Sequence, residues 1–151
     1  MKNAILAYDI GTSRLYEMTG NIIDPRSSLS KMLWFAEKEP GIYAKTAKFL
    51  QSKDYIAAKL SGNMDTTDYS DASHGMMLDV GAKKYDRALY ASLGLSAEKL
   101  PEVHRSMDII GKLTDEAARL LGLPSGIPVA AGAGDGICTN IGSGTTINNI
   151  L

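Results

Sequence analysis

Cysteine is all but absent from this chain of 151 residues, Cys138 being the one example. An intrachain disulfide framework is therefore excluded, and a reducing compartment, the cytoplasm, is the expectation. Histidine is nearly as scarce: His74 and His104 stand far apart and lack metal-ligand spacing. No apolar run is long enough to span a bilayer, and residues 2–10 are too short and too acidic at their end for a signal peptide. An excess of one charge is missing too. With a net charge of −1, nothing in the balance draws nucleic acid or an anionic membrane. Repeats and low-complexity tracts are lacking as well. What remains, 44% hydrophobic and 22% charged residues, is the composition of a globular protein, at a length that suits one domain with a core.

Two stretches stand out against this plain background. Residues 127–131 form a short apolar run that reads as a strand, and it delivers Asp135 into a turn holding Gly132, Ala133, Gly134 and Gly136. Open α/β sheets bind ligands at the C-terminal ends of their strands, and small residues let the backbone approach a ligand closely. The chain opens on a similar element. Residues 3–9 read as a buried strand, ending in Asp9 and followed by Ile10, Gly11, Thr12 and Ser13. Two separated strand–Asp–Gly elements point to phosphate and metal chemistry more than either does alone.

The stretch between them reads mostly as helix. Residues 14–27 have no clear period and are expected to be loop. Ser28 is placed as the cap of a helix running to about residue 39, with Leu29, Met32, Leu33 and either Trp34 or Phe35 inward. Lys31 and Trp34 share a face of it and read as packing with a snorkelling lysine. Further helices are expected at 42–51, 53–60, 85–93 and 115–121, the last begun by Thr114 and closed by Gly122. Residues 103–113 are ambiguous, with a strand near 109–113, and a helix is expected to begin near 137. Asp68, Ser70, Asp71 and Ser73 read as a turn capped by its own side chains rather than as a metal cluster. Cys138 reads as a small buried thiol.

Residues 31–35 (KMLWF), 45–50 (KTAKFL), 53–56 (KDYI), 60–62 (LSG), 67–73 (TDYSDAS), 111–114 (GKLT), 122–124 (GLP) and 129–136 (VAAGAGDG) occur in an order and spacing with a known counterpart. Residues 19–136 resemble the FGGY family of carbohydrate kinases, especially its xylulokinase-like branch. The opening Asp9–Ser13 resembles that family's first phosphate-binding hairpin. The resemblance implies an α/β fold: a partial ribonuclease-H-like (actin-like ATPase) domain with a mixed sheet and flanking helices. It implies ATP-dependent phosphorylation of a sugar, with a pentulose such as xylulose as substrate and ATP and Mg²⁺ as cofactors. Asp135 matches the general base that takes the sugar hydroxyl's proton, with Gly134 at the substrate beside it. Asp9 matches the carboxylate that places Mg²⁺, while Gly11, Thr12 and Ser13 match phosphate contacts. Arg26 lies near a substrate-contacting position, although the residue type differs.

Departures from the family pattern carry expectations of their own. Ser13 runs almost directly into residues that resemble sequence well downstream, and residues 145–151 do not match the continuation after Gly144. The expectation is one partial domain over 1–151: a first strand and phosphate turn (1–13), a later part (14–144) and an atypical tail (145–151). The C-terminal nucleotide domain is expected to be absent and the chain inactive alone. The rival expectation is a non-catalytic fragment that acts by self-association, a homo-oligomer included, because missing strands leave edges and apolar surface for another chain to cover.

Overall fold

The computed structural model describes residues 16–21, 24–75 and 78–144. In chain order its elements are α1 (Ser28–Lys38), α2 (Pro40–Lys45), α3 (Ser52–Ser61), β1 (Thr66–Asp68), α4 (Tyr69–His74), α5 (Arg87–Ser92), a 3₁₀ turn (Ala97–Lys99), β2 (Glu102–His104), β3 (Ile109–Lys112), α6 (Asp115–Leu121), β4 (Pro128–Ala130) and α7 (Asp135–Gly142). They fall into two compact units. One comprises residues up to Phe49 together with Ala72–Leu100, the other Leu50–Asp71 together with the chain from Pro101 onward. The expected strand at 3–9 lies outside the described residues.

Apolar spacing builds the first unit. Leu29 and Met32, three residues apart on α1, face inward and meet Leu89 and Tyr90 of α5 with Met18, Leu95 and Leu100. Ser27, not Ser28, caps α1: its side chain accepts from the Ser30 amide and its backbone is extended. Of the two alternatives Trp34 is the one left half exposed, its ring nearly perpendicular to that of Phe35, and Phe35 is half-buried near Phe49. Residues 16–19 form a helical turn rather than loop, closed by the Gly20 amide on the Tyr16 carbonyl at 2.8 Å.

The helix expected at 42–51 begins at Pro40 and stops after Lys45. The reason is tertiary. Lys99 donates to the Ala44 and Thr46 carbonyls, Lys48 to the Leu100 carbonyl, and the Phe49 amide to the Lys99 carbonyl. These bonds draw residues 46–49 out straight alongside the 3₁₀ turn, against their helical period.

The second unit holds two pairs of strands. β1 and β2 run parallel, with Asp68 opposite His104, and β3 and β4 run antiparallel, with an irregularity between Ile109 and Gly111. Asp68, read from the sequence as part of a turn, thus closes a strand whose three residues are fully buried, and α4 follows it directly. α3 carries a reciprocal capping box between Gln51 and Asp54 and ends at Gly62 in the left-handed conformation. Its last turn lies directly on β3: a Cβ at Gly111 would sit 2.8 Å from the Cβ of Ser61. Glycine at 111 is what lets helix and strand approach this closely. α6 forms as its sequence dictates, with Thr114 capping the Ala117 amide, acidic residues in the first turn and Gly122 closing the end. Its Ala117 and Ala118 pack with Leu113, while Ile110, Ala57 and Ala131 form a second small cluster.

Candidate functional site

The second unit gathers charge at the C-terminal end of β1. Asp68 is the last residue of that strand and is completely buried. Lys53, near the start of α3, places its Nζ 2.9 Å from Asp54, 3.2 Å from Asp68 and 3.5 Å from Asp71. Oδ2 of Asp68 accepts from the Ser70 amide (2.9 Å), the Ser70 hydroxyl (2.7 Å) and the Ser106 hydroxyl (3.1 Å). Oδ1 accepts from the Asp71 amide at 3.4 Å. The expectation of a side-chain-capped turn at 68–71 is met by these amide bonds. Lys53 and Ser106 are additions that spacing alone does not reveal.

Burial opposes the charge on Asp68, but the hydroxyl and amide of Ser70, and then Lys53, outweigh it and hold the carboxyl below its usual range. Burial likewise disfavours the Lys53 ammonium, and the Asp54 and Asp68 carboxylates reverse that and raise its pKa. Asp71 goes the other way. Burial pushes its carboxyl up, and the charges of Asp68 and Asp54 add to that effect against the opposing pull of Lys53. Ionised Asp71 therefore costs stability, and the cost grows as pH rises from the unfolded carboxyl range through its raised folded value. Asp71→Asn is expected to stabilise the second unit at pH 7, the gain shrinking as pH falls into the carboxyl range. Chemical denaturation of both proteins across pH checks this, and a loss of stability at pH 7 would contradict it.

Next to this cluster runs the loop that leads to Asp135. The Ala131 amide donates to the Asp108 carbonyl (3.0 Å) and the Gly132 amide to the Ser106 carbonyl (2.9 Å). Lys53 Nζ donates to the Ala131 carbonyl at 3.1 Å, and the Gly134 amide donates to the Ser70 hydroxyl at 2.7 Å. At Gly134 a Cβ would stand 3.0 Å from Asp71 Oδ1 and 3.4 Å from Ser70 Oγ. A side chain there would fit only if Asp71 gave way by a few tenths of an ångström, so glycine serves close packing within the protein itself. Asp135 follows as the first residue of α7, which starts two residues earlier than expected. Its side chain is exposed, and one oxygen accepts from the Gly136 amide at 2.8 Å. A carboxylate at a helix start is favoured by the positive end of the helix dipole.

The other sequence-derived residues fall elsewhere. Asp9, Gly11, Thr12 and Ser13 lie outside the described residues. Arg26 belongs to the first unit, where its guanidinium forks onto Asp24 with contacts of 2.6 to 3.1 Å. That side-chain pairing lowers the Asp24 pKa to about 2. Cys138 is exposed, contrary to the buried thiol expected, because α7 turns it outward with its sulfur 3.7 Å from the Ala133 carbonyl. Among the described residues no group of three or more His, Cys, Asp or Glu is arranged to hold a metal ion, and no helix is long and apolar enough to cross a membrane.

Comparison with known proteins gives this arrangement its context. Residues 2–142 match the model of the FGGY family of carbohydrate kinases, N-terminal domain. The chain is 33% identical to the xylulose kinase of Bacillus subtilis (strain 168), an alignment covering 95% of this chain and 31% of the relative. It is 37% identical to the autoinducer-2 kinase of Klebsiella pneumoniae subsp. pneumoniae, over 82% of this chain and 23% of that protein. The solved xylulose kinase of Rhodospirillum rubrum superposes with a TM-score of 0.85 at 29% identity, covering 95% of this chain and 29% of that one. Plasmodium falciparum glycerol kinase, at 18% identity and a TM-score of 0.79, shares the fold. The chain therefore spans under a third of the length of these relatives, and its fold is part of the actin-like ATPase fold of such kinases. Matched over nearly all of its length by the family's N-terminal domain, it belongs to the FGGY family of carbohydrate kinases.

Proposed function

We propose that this chain supplies the acceptor side of an ATP-dependent sugar kinase, acting on a pentulose such as xylulose, and that turnover needs the nucleotide-holding remainder of such a kinase. The observation that carries this reading is the exposed Asp135 carboxylate, set at the start of α7 by a loop held by four hydrogen bonds at Ala131, Gly132 and Gly134. In the proposed step Asp135 takes the proton of a sugar hydroxyl as that oxygen attacks the γ-phosphorus of ATP. The bond to the bridging oxygen breaks, and ADP leaves with its electron pair. Asp9 would be the carboxylate that places Mg²⁺ and Gly11, Thr12 and Ser13 the phosphate contacts, and the metal when bound would neutralise charge on the phosphates. Gly134 and Arg26 are proposed substrate-side residues, and the cytoplasm is the proposed compartment. Xylulose kinases among the relatives support the choice of sugar; gluconokinase of Bacillus licheniformis is a relative at 30% identity, so gluconate belongs in the test.

A coupled ADP-release assay with ATP, Mg²⁺ and a panel of pentuloses, glycerol and gluconate tests the reading. It is run on the chain alone and on a hybrid in which residues 50–144 replace the matching segment of the Bacillus subtilis xylulose kinase. The expected result is silence from the chain alone and xylulose-dependent turnover in the hybrid. A folded hybrid that turns over no sugar overturns the proposal. A second reading, self-association without catalysis, is favoured by exposed Leu120, Leu121 and Leu123 around the end of α6. It gains support only if a dead hybrid coincides with a concentration-dependent dimer of the chain in sedimentation.

A further inference from the structure

Neither Asp68 nor Lys53 hydrogen-bonds or ion-pairs with Asp135, yet both ends of the loop that carries Asp135 are tied to them. Lys53 holds the Ala131 carbonyl at 3.1 Å. Ser70, whose hydroxyl donates to Asp68 Oδ2 at 2.7 Å, accepts the Gly134 amide at 2.7 Å. Ser106 donates its hydroxyl to the same Asp68 oxygen at 3.1 Å, while its own carbonyl accepts the Gly132 amide at 2.9 Å. Asp68 is completely buried and Lys53 mostly so, which makes each of these hydrogen bonds stronger than it would be in water. Gly134, one residue before Asp135, lies close enough to Ser70 and Asp71 to exclude even a methyl group without adjustment.

We propose that Asp68, Lys53 and Ser70 form a positioning device for the acceptor base: through the Ala131 carbonyl and the Gly134 amide they fix the loop that sets where the Asp135 carboxylate stands. The inference rests on reading Asp135 as the base, but its geometry can be tested separately. A hydroxyl that both donates to a buried carboxylate and accepts an amide is polarised towards the amide it holds, so Ser70 is the coupling point. None of the three residues exchanges a proton with substrate. Their role is to keep a carboxylate within the narrow range of positions from which it can reach a sugar hydroxyl, where a misplacement of about 1 Å costs on the order of 100-fold in rate.

The test compares the full chain with Ser70→Ala and Ser70→Thr by amide solvent-exchange NMR. In Ser70→Ala the Gly134 amide, and the Cys138 amide that bonds the Gly134 carbonyl, are expected to exchange about tenfold faster. Ala118 and Leu113, in the same unit but bonded elsewhere, keep their rates. Ser70→Thr, which retains the hydroxyl, restores the original exchange at Gly134. In the hybrid kinase, Ser70→Ala lowers kcat about tenfold with KM for xylulose held, the split expected of a misplaced base. Unchanged exchange at Gly134, or acceleration shared equally by Ala118, overturns the positioning role. If Asp135→Asn leaves the hybrid active while Gly134 exchange responds to Ser70, the base reading fails and the anchoring stands.

Discussion

Asp68→Asn is expected to cost the second unit about 3 kcal/mol of stability, the lower end of the range for breaking a buried charge pair. The size follows from the surroundings of the two carboxylate oxygens. Every neighbour is a donor: the Ser70 amide and hydroxyl and the Ser106 hydroxyl at Oδ2, the Asp71 amide and Lys53 at Oδ1. An asparagine must turn its NH₂ towards one of these sets, and donors then face donors in a fully buried place. The loss stays at the low end because Lys53 keeps Asp54 at 2.9 Å and is partly open to solvent. The pH dependence carries a second signature. A depressed folded carboxyl contributes stability that is complete above the unfolded range and is lost as pH falls through the lower folded value. Lys53, with its pKa raised, contributes in the opposite sense: in full below the ordinary lysine range, and lost as pH rises through the raised value. Asp68→Asn should therefore flatten the acid limb and shrink the alkaline one. Hydrogen exchange at Ala118 against Tyr90 measures the loss unit by unit; equal loss in both, or none in either, would contradict the assignment.

The contrast between Asp68→Asn and Asp71→Asn is sharp because the two residues lie three positions apart in the same short stretch. A general increase or decrease in negative charge would move both variants the same way. Opposite signs are expected, since donors surround one carboxylate, whereas burial, with like charges adding to it, disfavours the charge on the other.

Elements that the sequence fixes locally were legible in it. α6 has its cap, acidic first turn and closing glycine within nine residues, and β4 precedes a glycine-rich turn. Elements decided by distant partners were not. α2 ends early because Lys48 and Lys99 bind carbonyls some fifty residues away in sequence, and β1 exists because residues 66–68 find β2. The site divides along the same line. Asp135 and Gly134 announce themselves by the company of small residues. Lys53 and Ser106 do not, since each is an ordinary polar residue whose meaning comes from what the fold places next to it. The Lys-Asp pair at 53–54 and the Asp-x-Ser-Asp run at 68–71 were the available signals, but only contact joins them. Asp9 and its neighbours lie outside the described residues, so the phosphate side rests on resemblance and on the family match.

Asp135→Asn is expected to lower kcat of the hybrid kinase by about 10²- to 10⁴-fold, the usual contribution of a general base, with KM for xylulose nearly unchanged. The substitution is close to isosteric. The asparagine side-chain oxygen can accept the Gly136 amide as the carboxylate oxygen does at 2.8 Å, so the start of α7 keeps its geometry. What is lost is a proton acceptor. An amide cannot take the hydroxyl proton, and the sugar oxygen must then attack while still carrying it. Exposure of the residue keeps the structural cost small: losing one negative charge at a helix start costs about 0.3–1 kcal/mol. Stability and turnover thus separate in opposite directions for Asp68 and Asp135. Asp68→Asn weakens the fold first, whereas Asp135→Asn leaves the fold intact and silences the reaction. Steady-state kinetics of the hybrid beside its denaturation curve reads both at once. Turnover retained within a factor of about ten would remove Asp135 as the base, because no general base is worth so little.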